Sequence, residues 1–297
     1  ADRLLAEPGG AQLLGGWQAI DLTAYLVENA SYTLTMTGTD KAAKEATPVT
    51  RTGITFDKTK PGFGSVTPVS GSFVNASSRL VQWTNSEGLS GGTIKYTCTN
   101  GVDTSGSPSG THSATFSGTD LDQGSRSKDI GAVLVDAARY NLDIWGTDIA
   151  GNIGDTVTNT NVTYDITKPV FGAVSPASSS RVSTGGVTLT LSEQLSTGRA
   201  MFTAGATTSG TEVPFAQHTH AMTPAERSNL SQQTVTVSGL VDDNTYQIDV
   251  DGTYLAGNAA DTVIKLGIYF DLTPPSFGSI TPDTNAYIRA ATSPVNW

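Results

Sequence analysis

The stretch Tyr140–Asn152, which reads YNLDIWGTDIAGN, decides the fold. Apolar residues stand at every second position, at Tyr140, Leu142 and Ile144, and the residues between them are expected to point outward. A period of two is typical of a β-strand with one buried face. Gly, Asp and Asn follow, and these residue types favour tight turns. The stretch therefore predicts a strand, packed on a core by one face, that ends in a turn.

The same motif occurs three times along the chain. Tyr32 and Tyr246 begin the other two copies, so that the three tyrosines are 108 and 106 residues apart. About 25 residues after each tyrosine comes a second motif, an aromatic residue followed by Asp-x-Thr-x-Pro. Two motifs in three copies at nearly equal spacing predict a unit of about 107 residues that folds in the same way each time.

Composition and repeat length together predict the fold class. The chain has 297 residues, with 32 glycines and 13 prolines, and it lacks long helix-forming runs. Short alternating strands separated by turn residues, in a unit of this size, are typical of a seven-strand sandwich. We predict an all-β protein of tandem immunoglobulin-like β-sandwich repeats, with a partial domain at each end. The predicted bounds are 1–61 (late strands), 62–169, 170–275 and 276–297 (first strands).

A family resemblance rests on the Tyr140–Asn152 run and the Asp-x-Thr-x-Pro linker. They resemble the bacterial immunoglobulin-like and fibronectin type III-like repeats of large extracellular adhesins, surface-layer proteins and filament proteins. The resemblance covers nearly the whole chain, and it implies a structural role at an extracellular or cell-surface location. It also implies a tyrosine corner, in which the hydroxyl of the motif tyrosine bonds a nearby backbone group. The alternative for that tyrosine is a plain core aromatic.

Charge and composition exclude several classes of function. The 27 acidic and 17 basic residues give a net charge of -10, and the basic residues are scattered, which argues against a nucleic-acid partner. No run of about 18 apolar residues is present, so we expect no membrane insertion. The single cysteine, Cys98, cannot form an internal disulfide. None of the common catalytic motifs occurs, and we expect that the chain is not an enzyme.

Polar residues at the predicted joint between domains suggest a calcium site. In an immunoglobulin-type sandwich the motif strand runs toward the preceding domain, so Asp148 and Asn152 should meet Asp57 of the first linker. Carboxylate and amide oxygens are the ligands that Ca²⁺ requires, and the resemblance implies calcium at such joints. The alternative is that Asp148 and Asn152 only serve their turn.

The later joints match the first only in part. Asp165 and Asn258 hold the positions of Asp57 and Asn152, but Tyr254 stands where the first joint has Asp148. In the third linker, Asp271 holds the position of Asp57. We predict Asp165, Asn258 and Asp271 as further ligands.

Both ends of the chain fall inside a repeat, which leaves two hypotheses about partners. Either adjoining repeats of one long polypeptide complete the partial domains, or one copy supplies strands to the next in a head-to-tail filament. The end segments would otherwise expose unpaired strand edges. We expect copies of this chain, or adjoining repeats of it, as the main partners.

The second functional hypothesis is an adhesin module that binds a glycan or a partner surface. The Gly- and Ser-rich segment Gly101–Gly110 is the loop that we expect to make such a contact, and Trp145 is the tryptophan that we expect on a surface. His218 and His220 could share a metal, but we expect an exposed loop pair on solvated surface instead. The aromatic candidates for a glycan site are the four tryptophans, Trp17, Trp83, Trp145 and Trp297.

Overall fold

A computed structural model describes residues 20–130, 133–278, 284–285 and 287. The described residues form strands, turns and a few short helical turns, so the fold is all-β as the sequence predicts. The chain divides into two compact units, Ala1–Asp165 and Ile166–Trp297. The four-part division at 61, 169 and 275 stays a prediction.

The first unit contains a two-stranded hairpin that carries the first tyrosine motif. Strands β1 (Ser31–Met36) and β2 (Val49–Thr55) pair antiparallel, and Tyr32 lies opposite Ile54. A 3₁₀ turn at Thr23–Tyr25 precedes them. Every residue of β2 is exposed. Trp17 lies outside the described residues.

The described residues from Phe63 to Tyr164 form a sandwich of eight strands, which we call the first sandwich. Strands β3, β5 and β8 form one sheet, and the order β4-β10-β9-β6-β7 forms the other. A 3₁₀ turn at Gly118–Leu121 precedes β8. The strands are β3 Phe63–Thr67, β4 Phe73–Val74, β5 Val81–Asn85, β6 Leu89–Cys98, β7 Thr111–Thr115, β8 Gly124–Lys128, β9 Arg139–Asp148 and β10 Val157–Tyr164.

The second unit contains a sandwich of the same topology, the second sandwich. Its sheets have the orders β11-β13-β16 and β12-β18-β17-β14-β15. One short helix, α1 (Pro224–Ser228), follows β15. The strands are β11 Phe171–Ser175, β12 Arg181–Val182, β13 Gly186–Leu191, β14 Leu195–Ala204, β15 Gln217–Ala221, β16 Gln233–Thr236, β17 Asn244–Tyr254 and β18 Val263–Phe270.

Each sandwich has its core between the two sheets. The side chains predicted to point inward, Tyr140, Leu142 and Ile144, are all 0% exposed, which confirms the period-two prediction. Trp83 is also buried and stacks on Phe116, with ring centroids 4.9 Å apart. Large apolar side chains removed from water in this way supply most of the stabilisation of such a domain.

Helices contribute little to the structure. Within the described part of the chain, none combines the length and the apolar character that a membrane span needs. Trp297 and most of the predicted first strands in 276–297 lie outside the described residues.

Candidate cation site and the tyrosine corners

The turn that follows β9 is organised by Asp148. This residue is 1% exposed, and its Oδ1 accepts hydrogen bonds from the N–H groups of Gly151 (2.7 Å) and Asn152 (2.8 Å). Its Oδ2 accepts a third hydrogen bond from Asn152 Nδ2 at 2.7 Å. Asp148 and Asn152 therefore do serve their own turn, as one of the two sequence hypotheses holds.

The same turn also lies against the first linker. Asn152 Nδ2 donates to the backbone oxygen of Asp57 at 3.1 Å. Asp57, Glu87 and Asp148 each offer a carboxylate oxygen, and these oxygens lie within 4.8 Å of one another. The structure thus brings together the three residues predicted for the first joint and adds Glu87 to them.

The charges of this cluster affect one another. Burial acts to raise the pKa of Asp148, but the hydrogen bonds from Asn152 and Gly151 outweigh it, so the pKa lies below its ordinary value. For Glu87, burial and the charges of Asp57 and Asp148 raise the pKa. Carboxylates held this close repel one another unless a cation or a proton compensates them.

The donor set suits a hard cation. Ca²⁺ takes six to eight oxygen ligands from carboxylates, carbonyls, amides and water, and Asp57, Glu87 and Asp148 supply the carboxylates. Sequence reasoning missed Glu87, which lies between β5 and β6. A signal was present, because Glu193 holds the matching position 106 residues later.

The other predicted ligands have different surroundings. Asn258 Nδ2 donates to the backbone oxygen of Thr167 at 3.0 Å, within the second unit, and Asp165 belongs to the first unit. Asp271 accepts a hydrogen bond from the N–H of Thr273 at 3.0 Å and lies 3.9 Å from Arg181. Among the described residues, the group of three carboxylates at the first joint contains none of these predicted ligands.

All three motif tyrosines form a tyrosine corner. Each hydroxyl accepts a hydrogen bond from the N–H of a valine five residues earlier. The distances are 2.6 Å for Tyr32, 3.0 Å for Tyr140 and 2.9 Å for Tyr246. The tyrosine corner implied by the family resemblance is confirmed. The alternative, that this tyrosine is a core aromatic without such a bond, is wrong.

In the first sandwich a buried network extends the corner. Tyr140 donates to Asp103 Oδ2 at 2.6 Å, and His112 Nε2 lies 2.5 Å from the same oxygen. Burial acts to raise the pKa of Asp103, but the hydrogen bonds from Ser105, Tyr140 and His112 outweigh it, so the pKa lies well below its usual range. An ionised carboxylate only accepts, so His112 carries its proton on Nε2.

The second sandwich repeats this network with different residues. Tyr246 donates to Glu212 Oε2, and His218 Nε2 lies 2.9 Å from that oxygen. Burial and then the hydrogen bond to Glu212 raise the pKa of Tyr246 to about 12, so its hydroxyl stays protonated. His112 and His218 both precede their tyrosine by 28 residues, a sequence signal that our prediction did not use.

The expectation for the histidine pair was wrong. His218 and His220 lie on strand β15 rather than in a loop, and both are half-buried. His220 Nε2 lies 3.0 Å from Glu226 Oε2, as His218 lies close to Glu212. Each histidine therefore has its own carboxylate partner, because the chain folds back over the edge of the sheet on both sides of β15.

The residues proposed for glycan contact differ in their exposure. Trp145 is partly exposed, and Lys95 Nζ lies 5.5 Å from the centroid of its ring. Most of Gly101–Gly110 is exposed, but Asp103 within it is buried. Trp83 belongs to the core and cannot contact a ligand without unfolding.

Two face-packed sheets of three and five strands, with a tyrosine corner, define each complete repeat as an immunoglobulin-like β-sandwich. No protein-family model and no curated protein matches the chain. Solved structures do: the FN1–FN3 domains of chicken CNTN1 share 13% identity at a TM-score of 0.38, with 82% of this chain and 77% of that chain covered.

Two further solved structures share a similarly low sequence identity with this chain. The fibronectin(III)-like modules of Clostridium thermocellum CbhA share 11% identity at a TM-score of 0.37, with 74% of this chain and 100% of that chain covered. The BSP domain of a biofilm associated protein shares 13% identity at a TM-score of 0.23, with 73% and 30% covered.

Proposed function

We propose that this chain is a structural, extracellular repeat protein, part of a rod, surface layer or filament, whose first joint is stiffened by calcium. The observation that carries the proposal is the recurrence of one device: a tyrosine corner in each repeat, followed by an Asp-x-Thr-x-Pro linker. Serial copies of one sandwich joined by short linkers suit a spacing role better than a catalytic one.

The calcium part of the proposal is supported by the cluster of Asp57, Glu87 and Asp148. The oxygens of these residues converge from the linker, the β5–β6 turn and the end of β9. A cation there would bridge the linker to the first sandwich. It would also relieve the repulsion by Asp57 and Asp148 that, after burial, raises the pKa of Glu87.

Calorimetric titration with calcium tests this part. We expect binding with a Kd of roughly 10⁻⁴ to 10⁻³ M, as in other extracellular modules. A tenfold excess of calcium over the Kd would then add about 1.4 kcal/mol to the free energy of unfolding. Glu87→Gln should weaken calcium binding, because it removes one of the three carboxylate charges. The variant should leave the Asp148 turn intact, because none of the hydrogen bonds that hold this turn involves Glu87.

A matched control is Asp122→Asn in the same sandwich, since the side chain of Asp122 is 64% exposed and is not one of the three converging carboxylates. This variant should bind calcium as the unmodified protein does. The calcium proposal would be contradicted if calcium at 10-fold excess over the expected range of Kd gave no heat of binding and no change in the melting temperature.

Strand exchange is the less favoured arrangement of partners. In the first sandwich β6 pairs with β9 on one side and with β7 on the other, and β14 does the same in the second. A sandwich completed by strand exchange would therefore need a counterpart of β6 or β14 to join the two halves of its larger sheet.

An adhesin module is the second candidate function. The partly exposed Trp145, with Lys95 above its ring and Asp143 beside Lys95 at 3.4 Å, is the observation that favours it. Sugars stack on aromatic faces and hydrogen-bond to such flanking polar groups. A glycan array tests this: Trp145→Ala should abolish any binding, and retention of the same binding in this variant would contradict a site at Trp145.

A further inference from the structure

An acidic residue four positions before the motif tyrosine binds the linker that follows in two of the three copies, those of Tyr32 and Tyr246. In the first unit this residue is Glu28. Its Oε1 accepts from the N–H of Thr59 (3.0 Å), from the Thr59 hydroxyl (2.6 Å) and from the N–H of Lys58 (3.1 Å). The hydroxyl contact pulls the pKa of Glu28 below its ordinary value, together with the backbone bonds and against a partial effect of burial.

The second unit repeats the arrangement 214 residues later, with an aspartate in place of the glutamate. Asp242 Oδ1 accepts from the N–H of Leu272 at 2.6 Å, and Oδ2 accepts from the Thr273 hydroxyl at 2.8 Å. In both units an acidic side chain thus binds the threonine at the same position of the linker motif. Such agreement between separate copies is not expected of incidental surface contacts.

The aspartate and the threonine of the Asp-x-Thr segment make different hydrogen bonds. The aspartate side chain accepts the N–H of the threonine two residues on, at 2.9 Å for Asp57 and 3.0 Å for Asp271. This is an Asx turn, which fixes the backbone locally. The threonine hydroxyl is then free to donate to the acidic residue of the preceding loop.

The loop that carries the acidic residue is itself fixed to the corner tyrosine. The valine next to Glu28, Val27, donates its N–H to Tyr32, and Val241, next to Asp242, donates to Tyr246. The ring of Tyr246 is 1% exposed, so in the second unit this loop is fixed to the core. Hydrogen bonds therefore connect the corner tyrosine to the loop, and the loop to the linker.

We propose that this arrangement is a linker clamp, in which the corner tyrosine, the acidic residue and the linker threonine fix the course of the linker without any cation. The clamp would hold the repeats in series in the absence of calcium, so it goes beyond the proposed calcium site. Asp136, which precedes Tyr140 by four residues, holds the matching sequence position in the middle repeat.

Spin labels on the hairpin and on the first sandwich test the clamp, with all measurements in excess EDTA. Labels at Arg51→Cys and Ser113→Cys, both exposed, in a Cys98→Ser background report the distribution of distances across the linker. We expect Glu28→Ala and Thr59→Val to broaden this distribution to the same extent, and the double variant to broaden it no further.

Thr59→Ser is the matched control, since it keeps the hydroxyl and should keep the narrow distribution. In the second unit, amide exchange at Leu272 should become about tenfold faster in Asp242→Ala, as expected for a lost hydrogen bond to a charged acceptor. An unchanged distribution in Glu28→Ala and Thr59→Val, or broadening that adds in the double variant, would overturn the clamp. Because EDTA is present throughout, failure of the calcium proposal leaves this result unaffected.

Discussion

At the scale of single residues, the two sandwiches act as controls for each other. Tyr96 and Phe202 hold matching positions, 106 residues apart, and each ring packs edge-on against a corner tyrosine. Tyr96 is 0% exposed, and its hydroxyl has no hydrogen-bond partner among the described residues. Burial raises the pKa of Tyr96, so the hydroxyl stays neutral. A buried hydroxyl without a partner destabilises the folded state.

We therefore expect Tyr96→Phe to raise the free energy of unfolding by roughly 1 kcal/mol. The second sandwich shows that a phenylalanine fits this position. Calorimetric unfolding measures the change, and Phe202→Tyr is the reverse control, which should destabilise the second sandwich. A lower melting temperature for Tyr96→Phe would mean that the hydroxyl has a partner after all.

Asp103 makes the first sandwich sensitive to acid. Its hydrogen bonds to Ser105, Tyr140 and His112 hold the pKa in the folded state below that of the unfolded chain. A carboxyl with a depressed folded-state pKa stabilises the fold at neutral pH, and this contribution is lost as the pH falls below the ordinary carboxyl value. Glu212, whose pKa is also lowered, acts in the same direction in the second sandwich.

Melting temperatures between pH 7 and pH 2 check this expectation. Asp103→Asn should lower the melting temperature at pH 7 and should flatten its dependence on pH in the acid range. The exposed carboxylate of Asp122, changed to Asn, serves as the comparison and should leave both unchanged. An acid dependence that is as steep in Asp103→Asn as in the unmodified protein would contradict the role given to this residue.

At the scale of secondary-structure elements, the glycine of the tyrosine motif is explained by its neighbouring strand. A Cβ at Gly146 of β9 would lie 2.7 Å from the backbone oxygen of Gly91 and 3.0 Å from Phe63. At Gly252 of β17 it would lie 2.8 Å from the backbone oxygen of Thr197. Strands β6 and β14 therefore approach so closely that only glycine fits.

Gly146→Ala and Gly252→Ala should each destabilise their sandwich by about 2 kcal/mol, because backbone atoms have to move. Gly38 is the matched control, since it holds the same motif position and a Cβ added there would meet no atom within 4 Å. Thermal unfolding should show a loss for the first two variants and almost none for Gly38→Ala. Equal losses for all three would show that strand crowding is not the cause.

At the scale of the whole molecule, the repeats are alike in fold but not in the chemistry of their joints. Among the described residues, one group of three carboxylates converges, and it lies at the first joint. Tyr254 holds the position that Asp148 holds in the preceding copy, so the second joint has one carboxylate fewer at matching positions. The proposed calcium response should therefore be confined to part of the chain.

We expect one calcium ion per chain, as measured by the stoichiometry of a calorimetric titration. Glu87→Gln should remove most of the single binding event rather than half of two. A stoichiometry of two in the unmodified protein would show that the change from Asp148 to Tyr254 does not matter, and that the ligands at the joints are others than those proposed.

The sequence alone determined the strands and their serial repetition. Alternating residues such as Tyr140, Leu142 and Ile144 encode a buried face locally, and the repeat spacing shows without any structure that the units are equivalent. The pairing of Asp57 with Asp148 could also be predicted, because the direction of a strand in a sandwich decides at which pole its end lies.

Only the tertiary structure decided which side chains meet across strands. Asp103 precedes Tyr140 by 37 residues, whereas Glu212 precedes Tyr246 by 34. No common spacing therefore marks the two carboxylates that accept the hydrogen bond of the corner tyrosine. The loops before β7 and β15 have the same length, 12 residues (99–110 and 205–216), but the acidic residue is the fifth of one loop and the eighth of the other. Each loop nevertheless brings its acidic group back to the same corner. Contacts of this kind depend on how the chain folds back over the sheet, which local residue patterns do not specify.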